Sequence, residues 1–336
     1  MAKIKESDYL YSTSRVKSIE KHMLTHERAE KMIDAKTMED AIRVLDDCYY
    51  GYLNEITDFD NYESLLADEH KKTYDFIKSI APDAEHFNIF LYPYDYHNLK
   101  VLMKNEYLNK DETDILVDTG TIDLKVLKHA LKERNFSELT ENMGKALNEV
   151  IEDFPKTRDP QLIDVILDRY CFEEMLKAAE ETENKFIIDY VKMQIDSINV
   201  KTYVRLKKMN KSWDFFSKVF LHGGNIHEHI FIRNYDEPFE KFGELLLAYD
   251  FKDVFLEGTE TLTETGKFTK LEKLLDNKLM EHVKTAKYDP PYGIETLAGY
   301  LIAKDNEIKI ARIILAGKTA GISPELIRER LRETYV

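Results

Sequence analysis

The sequence predicts an all-α protein built from three similar helical domains, and three observations carry that prediction. Glycine and proline are scarce, at 12 and 8 of 336 residues, against usual shares of about 7% and 5%. Charged residues reach 33%, while the period-two alternation of a half-buried strand is hard to find. A tripeptide of Asn or Glu, an aliphatic residue and Lys recurs at Asn98-Leu99-Lys100, Asn199-Val200-Lys201 and Glu307-Ile308-Lys309. Its spacings, 101 and 108 residues, are each close to a third of the chain.

A second signal runs in step. Ile122-Asp123, Ile226-His227 and Ile322-Ser323 each follow soon after glycine, with Leu127, Phe231 and Ile327 five positions past the isoleucine. That is the spacing of a hydrophobic staple around an N-cap. Asp68, Asp168 and Asp276 lie 30 or 31 residues upstream of the tripeptides. A period of about one hundred residues is long enough for each unit to bury its own core. The expected division is 1–112, 113–225 and 226–336. Three like units carry three like contact surfaces, so a closed pseudo-threefold ring or funnel is expected, with an open row of domains as the alternative.

Taken in order, the local signals are helical. Met38, Ala41, Ile42, Leu45, Cys48, Tyr49 and Tyr52 fall on one helix face, and Thr37 with Asp40 resembles a capping box. Ala81-Pro82-Asp83 and Tyr92-Pro93 are interruptions. Asp159-Pro160 supplies an N-cap and N1 proline for a helix carrying Ile163, Ile166, Leu167 and Tyr170. His222-Gly223-Gly224 is a turn, Asp289-Pro290-Pro291 another, and Gly317 to Gly321 a third. Ser323-Pro324-Glu325 then opens the last helix. No Ser- or Pro-rich linker separates the units.

Charge and cysteine usage exclude several functions. A net charge of −15 argues against sequence-independent binding to nucleic acid or anionic lipid, and against an acidic partner unless a basic face is hidden in the average. Cys48 and Cys171 sit in helical patterns without metal spacing and read as reduced core residues. The opening Met-Ala-Lys-Ile-Lys-Glu-Ser-Asp carries no apolar signal region. The longest stretches free of Asp, Glu, Lys and Arg are nine residues, 86–94 and 219–227. A spanning helix needs about 20 apolar residues.

The candidate sites are thin, and no catalytic, cofactor-binding or metal residue is predicted. Gly317-Lys318-Thr319 resembles the end of a phosphate loop, but the required earlier glycine is replaced by Arg312 in a helical pattern. His222, His227, Glu228 and His229 are the dense histidine cluster, yet 227 and 229 point to different helix faces, as a solvated helix start would have them. No Gly-x-Ser-x-Gly elbow or Gly-x-Gly-x-x-Gly is present. Lys100, Lys201 and Lys309 either ring a symmetric cavity or pair with carboxylates in their own repeats. Asn98, Asn199 and Glu307 read as helix-packing polar residues.

With these motifs in hand, the chain resembles the C-type stalk component of the archaeal and bacterial V-type (A-type) ATPase, the relative of the d component in the eukaryotic vacuolar enzyme. The run Tyr11 to Glu20 is similar to the family's opening helix, as is Ala35 to Ala41 leading to Leu45 and Tyr49. Asp95-Tyr96-His97-Asn98-Leu99-Lys100 is similar to its first-repeat signature, and Asn306 to Arg312 with Gly317-Lys318 to its C-terminal one. The resemblance implies a funnel of three helical domains with a central cavity. It also implies a non-catalytic rotor part without cofactors, seated between the D and F subunits of the central stalk and the membrane proteolipid ring. Such a protein would be cytoplasmic and peripheral to the membrane. The competing readings are an unrelated cytosolic three-domain scaffold and a metal enzyme centred on His222 to His229.

Overall fold

A computed structural model describes residues 5–50, 61–110, 112–288 and 292–336. Every regular element among them is helical. The chain divides into two compact units, Met1–Ala84 with Arg233–Val336, and Glu85–Ile232.

The first unit holds helices α1 (Leu10–Ile19), α2 (His26–Asp34), α3 (Met38–Arg43) and α4 (Tyr62–Ile80) from the early chain. From the late chain it takes α12 (Phe239–Leu245), α13 (Lys252–Thr265), α14 (Thr269–Thr285), α15 (Ile294–Thr319) and α16 (Pro324–Arg330). The second unit holds α5 (Tyr92–Leu108), α6 (Leu124–Glu133), α7 (Glu141–Thr157), α8 (Pro160–Glu181), α9 (Lys185–Lys208) and α10 (Trp213–Val219), and α11 (Glu228–Arg233) ends it.

Local chemistry explains most boundaries. Thr37 caps α3, accepting from the Asp40 amide at 3.0 Å, and its hydroxyl donates to the Asp40 carboxylate at 2.7 Å; of the expected capping box this is the N-cap half. Asp159 caps α8 through the Gln161 amide with Pro160 behind it, and Ser323 caps α16 through Leu326. Ile163, Ile166 and Leu167 are buried, and α8 packs on both α5 and α7. Each such side chain contributes roughly 1.5–3 kcal/mol. In the first unit, Met32, Ile42, Leu45, Leu66, Ile314 and Ile327 belong to one core. The middle helix of that core, α15, is apolar on nearly every side and is accordingly buried all round.

Two expectations need correction. The face read through Tyr49 breaks because α3 stops at Arg43 and a 3-10 helix runs Val44–Cys48. The change of period leaves Tyr49 exposed in left-handed backbone (φ 60°) and buries Tyr50 instead; Tyr52 lies outside the described residues. Gly317, Lys318 and Thr319 are the last turn of α15, and the turn itself is Ala320 to Ile322. The Asp289-Pro290-Pro291 turn lies outside the described residues.

Candidate functional site at three helix junctions

The recurring tripeptides sit on the three long helices α5, α9 and α15. All three helices end alike. Lys110 donates its amide to the Asn105 carbonyl (3.1 Å), Lys211 to Leu206 (2.9 Å) and Ile322 to Gly317 (2.9 Å). The residue before each donor, Asn109, Asn210 or Gly321, has positive φ. This is the Schellman ending, for which glycine and asparagine are suited.

In the first junction, the Asn98 side chain donates to the Val117 carbonyl (2.8 Å) and accepts from the Val117 amide (2.9 Å). One turn earlier, the fully buried Asp95 accepts from the Thr121 amide (2.9 Å) and hydroxyl (2.7 Å) and from the Ile122 amide (3.2 Å). The second junction repeats this in detail. Asn199 donates to the Leu221 carbonyl (2.8 Å) and accepts from its amide (2.9 Å). Asp196 accepts from the Asn225 amide (3.0 Å) and side chain (3.1 Å) and from the Ile226 amide (2.9 Å). Glycine is required beside each aspartate: a Cβ on Gly120 would lie 1.9 Å from an Asp95 oxygen, and one on Gly224 2.2 Å from an Asp196 oxygen. Burial pushes the Asp196 carboxyl up, and the donors from Ile226 and Asn225 pull it back in part.

The third junction keeps the plan and changes the chemistry. Glu307 accepts from the Leu24 amide at 2.5 Å, across 283 residues of sequence. At the position of the aspartates stands Lys304, only 3% exposed, bonded to Glu307 (2.7 Å) and Glu69 (2.8 Å) and 4.4 Å from the Tyr50 ring centre. Leu24 thus takes the place of Val117 and Leu221. Thr25 then caps α2 and Thr37 caps α3, and α4 packs on α15, as Asp123 caps α6, Thr140 caps α7 and α8 packs on α5. Ile322-Ser323 directly follows α15 and opens α16, so it is not the third counterpart of Ile122-Asp123. The residues that complete the last copy come from the beginning of the chain.

Lys100 pairs with Asp168 on α8, and Lys309 with Asp276 on α14 at 2.9 Å. Lys201 is half-buried on α9. Lys318 donates to the Ile33 and Ala35 carbonyls (2.9 and 2.6 Å), which ties its amine to backbone. His222, His227 and His229 are exposed around the turn before α11. Among the described residues, no group of three or more His, Cys, Asp or Glu is assembled to hold a metal. Burial pushes the Cys48 thiol up to about 12 and that of Cys171 well above its ordinary value, so neither is a thiolate near neutral pH. The junctions satisfy their own polar groups and fix loops to helices.

Sequence reasoning named Asp95 only within the first-repeat signature and gave no role to it or to Asp196. Their signal was present: Asp-x-x-Asn recurs at 95–98 and 196–199, and Gly-x-Ile at 120–122 and 224–226. The Glu69–Lys304–Glu307 group had no comparable mark.

No helix of the described residues is long and apolar enough to cross a membrane. The ATP synthase (C/AC39) subunit family matches residues 12–330. The C subunit of the V-type sodium ATPase of Enterococcus hirae is 26% identical over 321 residues, covering 95% of this chain and 97% of that protein. The C subunit of the A-type ATP synthase of Methanocaldococcus jannaschii is 25% identical, covering 96% and 86%, and that of Methanobrevibacter smithii 28%, covering 77% and 71%. The unrelated-scaffold reading falls with this match: over nearly its whole length the chain belongs to the C/AC39 family of rotary ATP synthase subunits.

Proposed function

We propose that the protein is a non-catalytic rotor component, a socket that joins the D and F subunits of the central stalk to the membrane proteolipid ring. Torque then links ATP hydrolysis or synthesis to proton or sodium transport. The observation that carries this reading is the junction built three times over in a chain of this family. Three like units, each opened by one long helix and the last completed by the early chain, would close around a central cavity that receives the stalk. A socket must resist twisting, and each junction ties a loop to its long helix by paired or charge-assisted hydrogen bonds, which are directional where apolar packing is not. The opposite face would rest on the cytoplasmic side of the ring, peripheral to the membrane.

Mating surfaces of unlike symmetry calls for a polar, replaceable interface, whose register and association rate depend on charge complementarity. The test is co-elution of the full chain with the D–F subcomplex at low and high salt. A one-to-one complex that weakens with salt is expected. No complex at either salt overturns stalk binding, and a salt-insensitive one overturns the electrostatic part.

A further inference from the structure

The chain's single tryptophan stands at the most basic corner of a protein whose net charge is −15. Residues 205–218 hold Arg205, Lys207, Lys208, Lys211 and Lys218 against one acidic residue, Asp214, and Lys218 pairs with Asp214 at 3.0 Å. The corner is where α9 turns into α10. Seven consecutive residues, 208–214, are exposed, including Met209 at 62% and Trp213 at 49%. Large apolar side chains held this far into water, flanked by lysines, ask for a covering.

The corner is built rather than loose. The Schellman bonds from Asn210 and Lys211 fix the turn, and Ser212 caps α10 through the Phe215 amide at 3.3 Å. Beneath it Tyr203, Phe216 and Phe231 are fully buried, with ring centres 5.2–5.9 Å apart. The Lys207 and Lys211 ammonium groups lie 5.2 and 5.5 Å from the Tyr203 and Phe215 ring centres. Their stems run along aromatic surface, as lysines do at a polar–apolar boundary. The ends of the other two long helices differ. At α5, Lys104 pairs with Asp164 and Lys110 with Glu112. At α15, Lys318 is held by two carbonyls.

We propose that this corner is a membrane-surface contact: Met209 and Trp213 enter the headgroup region of a bilayer while Lys208 and Lys211 meet anionic phosphates. Seven consecutive exposed residues with two large apolar side chains among lysines suit a bilayer surface, which yields around them, and a tryptophan between lysines is suited to the headgroup level. The acidic remainder of the chain does not forbid this, because charges beyond a Debye length of about 8 Å are largely screened. The proposal needs no other protein and stands apart from the socket reading.

Since Trp213 is the single tryptophan, its emission reports this corner alone. The full chain is mixed with vesicles of phosphatidylcholine, with or without phosphatidylglycerol at about one third. A blue shift and flotation with the anionic vesicles only, reversed by salt, is expected. Lys208→Gln with Lys211→Gln leaves the caps and aromatic platform intact, checked by an unchanged circular-dichroism melt. It should weaken vesicle binding about fivefold per lysine. No shift with anionic vesicles, or equal binding by the double variant, overturns the proposal. A Trp213 response to soluble poly-glutamate without one to vesicles also overturns it, and assigns the corner to an acidic protein.

Discussion

Lys304→Met removes the cation that Glu69 and Glu307 share. Both carboxylates are nearly buried, at 5% and 3% exposure, and the lysine bonds them at 2.8 and 2.7 Å. Charge-assisted hydrogen bonds contribute about 1.5–3 kcal/mol each, and breaking a buried ion group by deleting one partner costs about 3–5 kcal/mol. Methionine's apolar stem recovers a little, so a loss of about 3–4 kcal/mol at neutral pH is expected. The pH dependence is more telling. In the native protein burial alone would lower the Lys304 pKa, but Glu307 and Glu69 outweigh it and raise it. A base with a raised folded pKa keeps its full contribution below about 10.5, so the native lysine adds no slope in the acid range. Without it, two adjacent buried carboxylates are left, and folding takes up a proton. The variant's stability should then be highest near pH 4 and fall by up to about 1.4 kcal/mol per pH unit above it. Urea denaturation from pH 4 to 8, followed by circular dichroism, measures both effects. A loss under about 1 kcal/mol at neutral pH with no new slope would refute the reasoning.

Asn199→Ala strands the buried amide and carbonyl of Leu221 and should cost about 2–3 kcal/mol in denaturant unfolding. Asn98→Ala should cost less, because Val117 is only half-buried and water replaces part of the loss. Gly120→Ala and Gly224→Ala drive a Cβ into Asp95 and Asp196; each should destabilise by about 1–3 kcal/mol, with amide exchange quickening first at residues 121–122 and 225–226. Burial raises the carboxyls of Glu174 and Asp196 despite their hydrogen bonds. A raised folded pKa gives stability that is full below the unfolded pKa and lost as pH rises through the folded one. Glu174→Gln should therefore remove a fall in stability that sets in above the unfolded carboxyl pKa, so the variant gains on the native protein between about pH 4 and 7, read by urea denaturation at both.

The helical class and the threefold repeat were legible because both are written in local residue statistics and fixed spacings. Asn98 and Asn199 were legible as packing polar groups, since a side-chain amide can serve a peptide group's donor and acceptor at once. The aspartates beside them were hidden because Asp is common and its meaning depends on a glycine turn 25 or 28 residues on. Tyr49 was misread because periodicity extrapolates 3.6 residues per turn past Arg43, where the chain tightens to 3-10 geometry. Leu24 and Glu69 were illegible for a different reason. They serve a helix more than two hundred residues away, and a search for linear repeats looks for a copy's parts in one stretch.

That long-range closure bears on how the protein is made. The ribosome releases residues 5–50 and 61–80 first, yet Leu24 and Glu69 meet their partners only when Glu307 and Lys304 appear. Synthesis runs at roughly 5–20 residues per second, so α1 to α4 wait on the order of tens of seconds with their apolar faces uncovered. The Glu85–Ile232 unit is drawn from one continuous stretch of chain, so its parts emerge together. The early helices are thus the segment for which a nascent-chain chaperone has most to do.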